Sequence, residues 1–208
     1  MRETFKGKAG RMLVVGGLLL LMSISLINSV RAAGLSEDET YWLTYMREEE
    51  KLARDVYLTL YESWKLTVFS NIASSEQSHM DALLKLLRAY RLPDPAAGNE
   101  IGEFSNPDLQ ALYNTLIAKG AISALDAVQV GGIIEETDMH DLVEAIERSD
   151  NADLDSTYEN LLCGSRNHLR AFAGSLTSMT GQPYTAQVIT QDEVDLILGS
   201  PVEQCGRR

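Results

Sequence analysis

Between Phe69 and Leu83 the chain sets a carboxylate and an imidazole on what reads as the inner face of a helix. Glu76 and His79 stand three residues apart, so a helix makes them neighbours on one side. Ile72, Leu83 and Leu86 continue the same stripe. A carboxylate turned toward a core needs a compensating charge or donor. A metal ion would provide it. The other ligands must then come from other segments of the chain, which restricts the folds that can satisfy the pair.

The rest of the sequence follows a helical period. Ser36 and Glu39 have capping-box spacing and open a helix that can run to about Trp64. Its apolar stripe holds Leu43, Met46, Ala53, Tyr57, Leu60 and Trp64, and Glu50 lies on it. Glu48, Glu49 and Lys51 fall off the stripe and are expected to be solvated. A second helix spans about Thr67 to Tyr90 and is stopped by Pro93 and Pro95. After a polar connection over 91–105, Asn106 and Pro107 read as N-cap and first residue of a short helix ending near Gly120. The third long helix is predicted from about Ser123 to Arg148. Gly131 and Gly132 weaken it by ~1 kcal/mol each and permit a close helix contact.

One face of that helix carries Val128, Glu135, Asp138, Met139, Leu142 and Ile146. Glu136, His140 and Glu147 lie on the adjoining strip. The fourth long helix is predicted from about Asp155 to Thr180, with Gly181 as its stop. Its inner stripe reads Tyr158, Leu161, Leu162, Ser165, His168, Leu169, Phe172 and Leu176. The tail, with Tyr184, Val188, Ile189, Val194 and Ile197, is expected to pack across the bundle through a short helix over Gln191–Leu198. The predicted fold class is all-α, a four-helix bundle with a short extra helix in the crossover. The domain plan is residues 1–32 as a leader, 36–182 as the bundle and 183–208 as the tail.

Each long helix brings an ionisable group to its apolar face: Glu50, then Glu76 with His79, then Glu135 with Asp138, then His168. Four carboxylates and two imidazoles suit iron or manganese, and zinc is compatible. Four carboxylates would also balance two divalent ions. His140 follows Glu136 by four residues and forms an alternative ligand pair; an outer role is preferred for it.

Charge and cysteine content narrow the function classes. The formal net charge of -12 argues against nucleic-acid binding. Arg2, Lys6, Lys8 and Arg11 precede an apolar segment from Met12, and Val30-Arg31-Ala32 offers a cleavage site. This pattern reads as an export signal, with an uncleaved membrane anchor as the alternative. Cleavage after Ala32 would leave a net charge of -16. Outside the cytoplasm Cys163 and Cys205 could pair and tie the tail to the bundle; the alternative is two separate thiols. No Cys-x-x-Cys pair is present, so no zinc ribbon or rubredoxin-like iron site is encoded. No nucleophile motif with a histidine base points to a hydrolase.

Glu50-Lys51-Leu52-Ala53-Arg54-Asp55-Val56-Tyr57 resembles the first-helix motif of rubrerythrin-type ferritin-like proteins. Phe69 through Leu83, with Ile72-Ala73-x-x-Glu76-x-x-His79, resembles their second-helix motif. Ile133 through Asp138 resembles the third carboxylate segment, and Asn160 through Phe172 the fourth-helix histidine segment. The span of about 36–182 also resembles an exported ferritin-like domain family of unestablished function. The resemblance implies a di-iron centre held by Glu50, Glu76, His79, Glu135 and His168, with Tyr57 hydrogen-bonded to a ligand. It implies iron oxidation or peroxide reduction, and a rubrerythrin-like peroxidase cycle would need an external electron donor; a homodimer is a separate expectation for its partners. The family's fourth helix carries Glu-x-x-His, and here the Glu position is Ser165. Asp138 is expected to replace that carboxylate from one turn along the third helix. The alternative is a metal-binding or structural envelope protein without turnover.

Overall fold

The structure, a computed structural model, describes residues 34–206. The leader or anchor expected over residues 1–32 lies outside the described residues. Six helices and no strand are present among them: α1 (Glu37–Trp64), α2 (Thr67–Tyr90), α3 (Pro107–Gly120), α4 (Ala124–Glu147), α5 (Ala152–Thr180) and α6 (Gln191–Leu198). None of these helices is long and apolar enough to cross a membrane.

The helix ends follow from local chemistry. Ser36 and Glu39 close a capping box at the start of α1. Lys65 then adopts a left-handed conformation and its N–H reaches Tyr61 O, so α1 turns into α2 through only Lys65 and Leu66. Asn106 accepts from the amides of Asp108 and Leu109, with Pro107 as the first residue of α3. α5 begins at Ala152, three residues before the expected start, because the Asn151 side chain accepts from the amides of Asp153 and Leu154. The Ser149-Asp150-Asn151 break thus ends in a cap.

α1 packs along α2 and α4 along α5, with lesser contacts between α1 and α4 and between α2 and α5. Side-chain bonds fix the directions. The start of α1 meets the end of α4 through Glu39 and Asp150. The end of α2 meets the start of α5 through Tyr90 and Asn151. At the other end, Trp64 donates to Gly120 O. α1 therefore runs parallel to α5, and α2 parallel to α4. The connection containing α3 crosses the full length of the molecule and also covers α1 and α4.

That connection corrects one expectation. Glu48, Glu49 and Lys51 are buried rather than solvated. Residues 91–105 fold over the outer side of α1. Glu48 accepts from the amides of Ser105 and Asn106, and Lys51 Nζ binds Asp55 together with the carbonyls of Glu100 and Glu103. The charges of Glu48 and Lys51 are matched by donors and acceptors that local sequence does not reveal, whereas the Glu49 Oε2 is buried with no hydrogen-bond partner.

Gly131 and Gly132 do not interrupt α4. A Cβ at Gly131 would stand 2.3 Å from the Phe172 ring, and one at Gly132 would stand 2.1 Å from the Tyr184 hydroxyl. The pair lets α5 and the tail approach the α4 backbone. The tail is also held by Cys163–Cys205, a disulfide closing a separation of 42 residues. In the chain-entropy picture such a link contributes on the order of 4 kcal/mol. Gly174, on the exposed side of α5, has no neighbour within 4 Å of a Cβ. Gly131→Ala should therefore destabilise the chain by about 1–3 kcal/mol through overpacking against Phe172. Gly174→Ala should stabilise it by about 0.5–1 kcal/mol. Paired denaturant titrations check both signs, and similar values for the two would contradict the packing assignment.

Candidate metal centre

The candidate ligand atoms converge at mid-height between the four long helices. α1 brings Glu50, α2 brings Glu76 and His79, α4 brings Glu135, and α5 brings His168. They form two triads, Glu50–Glu76–His79 and Glu76–Glu135–His168, each with its ligand atoms within 4.8 Å of one another. Glu76 belongs to both. Its Oε2 lies 2.8 Å from His79 Nδ1, and its Oε1 lies 2.8 Å from His168 Nδ1. Glu50 Oε2 approaches His79 Nδ1 at 3.1 Å, and Glu135 Oε2 approaches His168 Nδ1 at 3.4 Å. Two ligands about 2.1 Å from a common ion stand about 3.0–3.4 Å apart, close to these separations.

Several atoms of the triad residues lack any hydrogen-bond partner although they are buried: Glu50 Oε1, Glu76 Oε1 and His168 Nδ1; outside the triads, Asp138 Oδ1 is in the same state. Glu76 Oε1 and His168 Nδ1 are close in distance yet do not meet hydrogen-bond geometry. Lone pairs that face a shared space instead of each other are what a cation would require. The residues fit a metal by this test and by the chemistry of the donor set.

An outer layer holds the ligands. Tyr57 donates to Glu135 Oε1 at 2.5 Å, beneath a cluster of Tyr57, Phe69 and Phe172 rings. His168 Nε2 lies 2.9 Å from Ser75 Oγ. With the ring proton on Nε2, that bond leaves the Nδ1 lone pair facing Glu76 and Glu135. Gly164 makes room for the other imidazole, since a Cβ there would stand 2.7 Å from His79 Nε2. Neither Ser75 nor Gly164 was expected from sequence; their positions beside His168 and His79 depend on the α2–α5 crossing.

Asp138 is buried next to the centre, and its Oδ2 accepts from the Ser165 hydroxyl. It belongs to neither triad. Glu136 is turned away to the tail. It accepts from the Tyr184 hydroxyl and from the amides of Gln187, Val188 and Ile189, so it serves as the tail's anchor. His140 is exposed and pairs with Asp141 at 2.8 Å. A surface groove of about 720 Å³ lies elsewhere, between α4, α5 and α6.

Without a metal these carboxylates burden one another. Burial, then the charge of Asp138, pushes Glu50 well above the usual carboxylate range. Burial, then Glu135, pushes Asp138 up to about 8. Burial also raises Glu135, against the pull of His168. Burial would raise Glu76 as well, but the His168 and His79 charges hold it below the ordinary range. Burial opposes charge on His168, yet Glu76 and Glu135 lift it to about 10. Glu50 and Glu76 likewise outweigh burial and raise His79. The metal-free centre therefore retains protons, which a divalent ion would displace.

These shifts set the pH dependence of the metal-free fold. His168 is raised from 6.5 to about 10, so its contribution is present below 6.5 and lost as pH rises through 10. Asp138, raised from 3.8 to about 8, has the same sign, because the folded chain keeps a proton that the unfolded chain releases. Glu76, with its lowered value, acts oppositely only at pH below its ordinary 4.5. Chelator-treated protein should lose roughly 5–10 °C of Tm between about pH 5 and pH 9. Thermal denaturation across that range checks it, and a Tm that climbs with pH would contradict the assignment.

Similarity to known proteins extends over most of the chain. The chain is 50% identical over 178 residues to the uncharacterized protein MJ0754 of Methanocaldococcus jannaschii, covering 86% of this chain and 96% of that protein. A crystal structure of the hypothetical protein MJ0754 superposes with a TM-score of 0.80 at 51% identity, covering 82% of this chain and 97% of that one. Residues 39–201, which include every ligand of both triads, match the family described as uncharacterized protein domain DUF2202. The chain belongs to the DUF2202 family.

Proposed function

We propose that the chain is an exported ferritin-like di-metal protein whose centre holds two ions, iron being the metal that its donors suit best and manganese or zinc the alternatives. The observation that carries this reading is the position of Glu76, which offers one oxygen to each of two ligand triads. The bundle assignment draws support from the helix directions and from the single long crossover between the parallel helices α2 and α4, the connectivity of ferritin-like bundles. Export draws support from the Cys163–Cys205 disulfide, which suits an oxidising compartment.

Glu50 and His79 would hold one ion, Glu135 and His168 the other, and Glu76 both. Such a pair of ions would supply electrons one per ion toward dioxygen or peroxide, so the proposed reaction class is ferrous-iron oxidation or peroxide reduction with an external electron donor. The chain's own residues set the conditions. Tyr57 fixes one oxygen of Glu135, and Ser75 fixes the His168 ring. The Tyr57–Phe69–Phe172 rings keep water from that side of the centre. Ser165 favours a second reading, metal binding without turnover. It stands where the resembling proteins carry a bridging carboxylate, and its hydroxyl bonds Asp138.

Metal analysis of the full chain tests the centre. Native protein should bind two ions, His168→Ala one, and Glu76→Ala neither tightly, because Glu76 alone belongs to both triads. Equal loss in the two variants would remove the two-triad arrangement. For the redox claim, the ferrous-loaded protein should gain a near-ultraviolet charge-transfer band when air or peroxide is admitted. An unchanged spectrum with two irons bound would leave the second reading.

A further inference from the structure

A line of acids leads from the surface to the centre along the α1–α4 seam. Asp141 and Asp138 sit one turn apart on α4, hence on one face of it. Glu49 of α1 faces α4 here: it lines a small space with Ile134 and Thr137 and lies within electrostatic reach of both acids. At the outer end the Asp141 side chain is 17% exposed and pairs with the exposed His140. At the inner end Asp138 sits one turn along α4 from Glu135 and within electrostatic reach of Glu76 and His79, while Glu49 precedes the triad member Glu50 in the chain.

Two features show that this line is not an ordinary salt-bridged seam. Glu49 is only 3% exposed and its Oε2 has no partner; Asp138 Oδ1 is likewise buried without one. The basic residues of α1 are committed elsewhere, Arg47 to Asp94, Lys51 to Asp55, and Arg54 to Asp55 and Gln77. Among the described residues no lysine or arginine forms an ion pair with Glu49, Asp138 or Asp141. Buried carboxyl groups without cationic partners are costly, and Asp138 and Glu49 gain nothing evident for the packing.

We propose that Asp141, Glu49 and Asp138 form the entry route by which divalent cations pass from solvent to the Glu76 centre. The route rests on the reading of that centre as a metal site. The three acids do not form a third converging group of the kind seen in the two triads. They are strung along the seam, an arrangement for transit rather than storage. Each offers an oxygen to a partly dehydrated cation, so the ion exchanges one carboxylate for the next as it moves inward. Asp141 at the mouth also focuses negative potential toward solvent, and such focusing raises cation on-rates by about 10–10³-fold.

Rapid-mixing uptake of Co(II) by the metal-free full chain, followed by its visible absorption, tests the route. Asp141→Asn keeps the shape of the mouth and removes its charge. It should bind as many ions as native protein but load them about tenfold more slowly, with a weaker dependence on salt. Glu49→Gln should slow loading in the same way from the middle of the line. Glu144→Gln, on the same helix but paired with Arg148 outside the seam, should leave the rate unchanged. Native rates in both Asp141→Asn and Glu49→Gln overturn the route, as does equal slowing by Glu144→Gln. Native protein that takes up no Co(II) overturns the metal reading of the centre instead.

Discussion

The structure depends on how it accommodates carboxylate charge in a low-dielectric interior. Glu76 is the extreme case. It is 2% exposed and touches an imidazole with each oxygen. Its charge is tolerated because two histidines from different helices approach it from opposite sides. Those histidines are in turn drawn to Glu50 and Glu135. Removing any one member leaves a neighbour unmatched, which ties the crossing of α2 and α5 to the register of α1 and α4. The apolar core above and below this layer fills the remaining space. Tyr57, Phe69 and Phe172 lie on one side, and Leu43, Leu83, Leu142 and Tyr158 on the other.

The same demand explains how the peripheral segments are placed. The crossover brings amides to Glu48 and carbonyls to Lys51, and the tail brings three amides and a phenol to Glu136. In each case a loop covers a charged position on a long helix and satisfies it through backbone groups. The adjacent Glu135 and Glu136 illustrate the division. One faces the centre and the other the tail, and the 100° step between successive helical residues separates the two environments.

Much of the centre was legible because its residues lie on apolar stripes with a helical period. Glu50, Glu76, His79, Glu135 and His168 each recur with hydrophobic neighbours at three- and four-residue spacing, and the structure brings these five together. The helices were equally readable from Ser36, Asn106-Pro107 and Gly181, whose capping chemistry is local. What escaped the sequence was non-local. Glu48 and Lys51 sit off the stripe of α1, and nothing in α1 announces that residues 91–105 will fold over them; Glu49 is buried instead against α3 and α4. Ser75 and Gly164 have no motif; their roles exist only where α2 meets α5. Cys163 and Cys205 pair, a choice that spacing left open.

The two triads are not equivalent in the chain that builds them. Glu50, Glu76 and His79 all belong to the hairpin of α1 and α2, whose helices are joined by two residues. The other triad borrows Glu76 from that hairpin and takes Glu135 and His168 from α4 and α5. An ion at the first position would be held within one half of the molecule. An ion at the second would be a clasp between halves, available only once both hairpins have docked. Occupancy of that position would thus report the assembly of the fold itself, and its order of filling would follow the order in which the chain comes together.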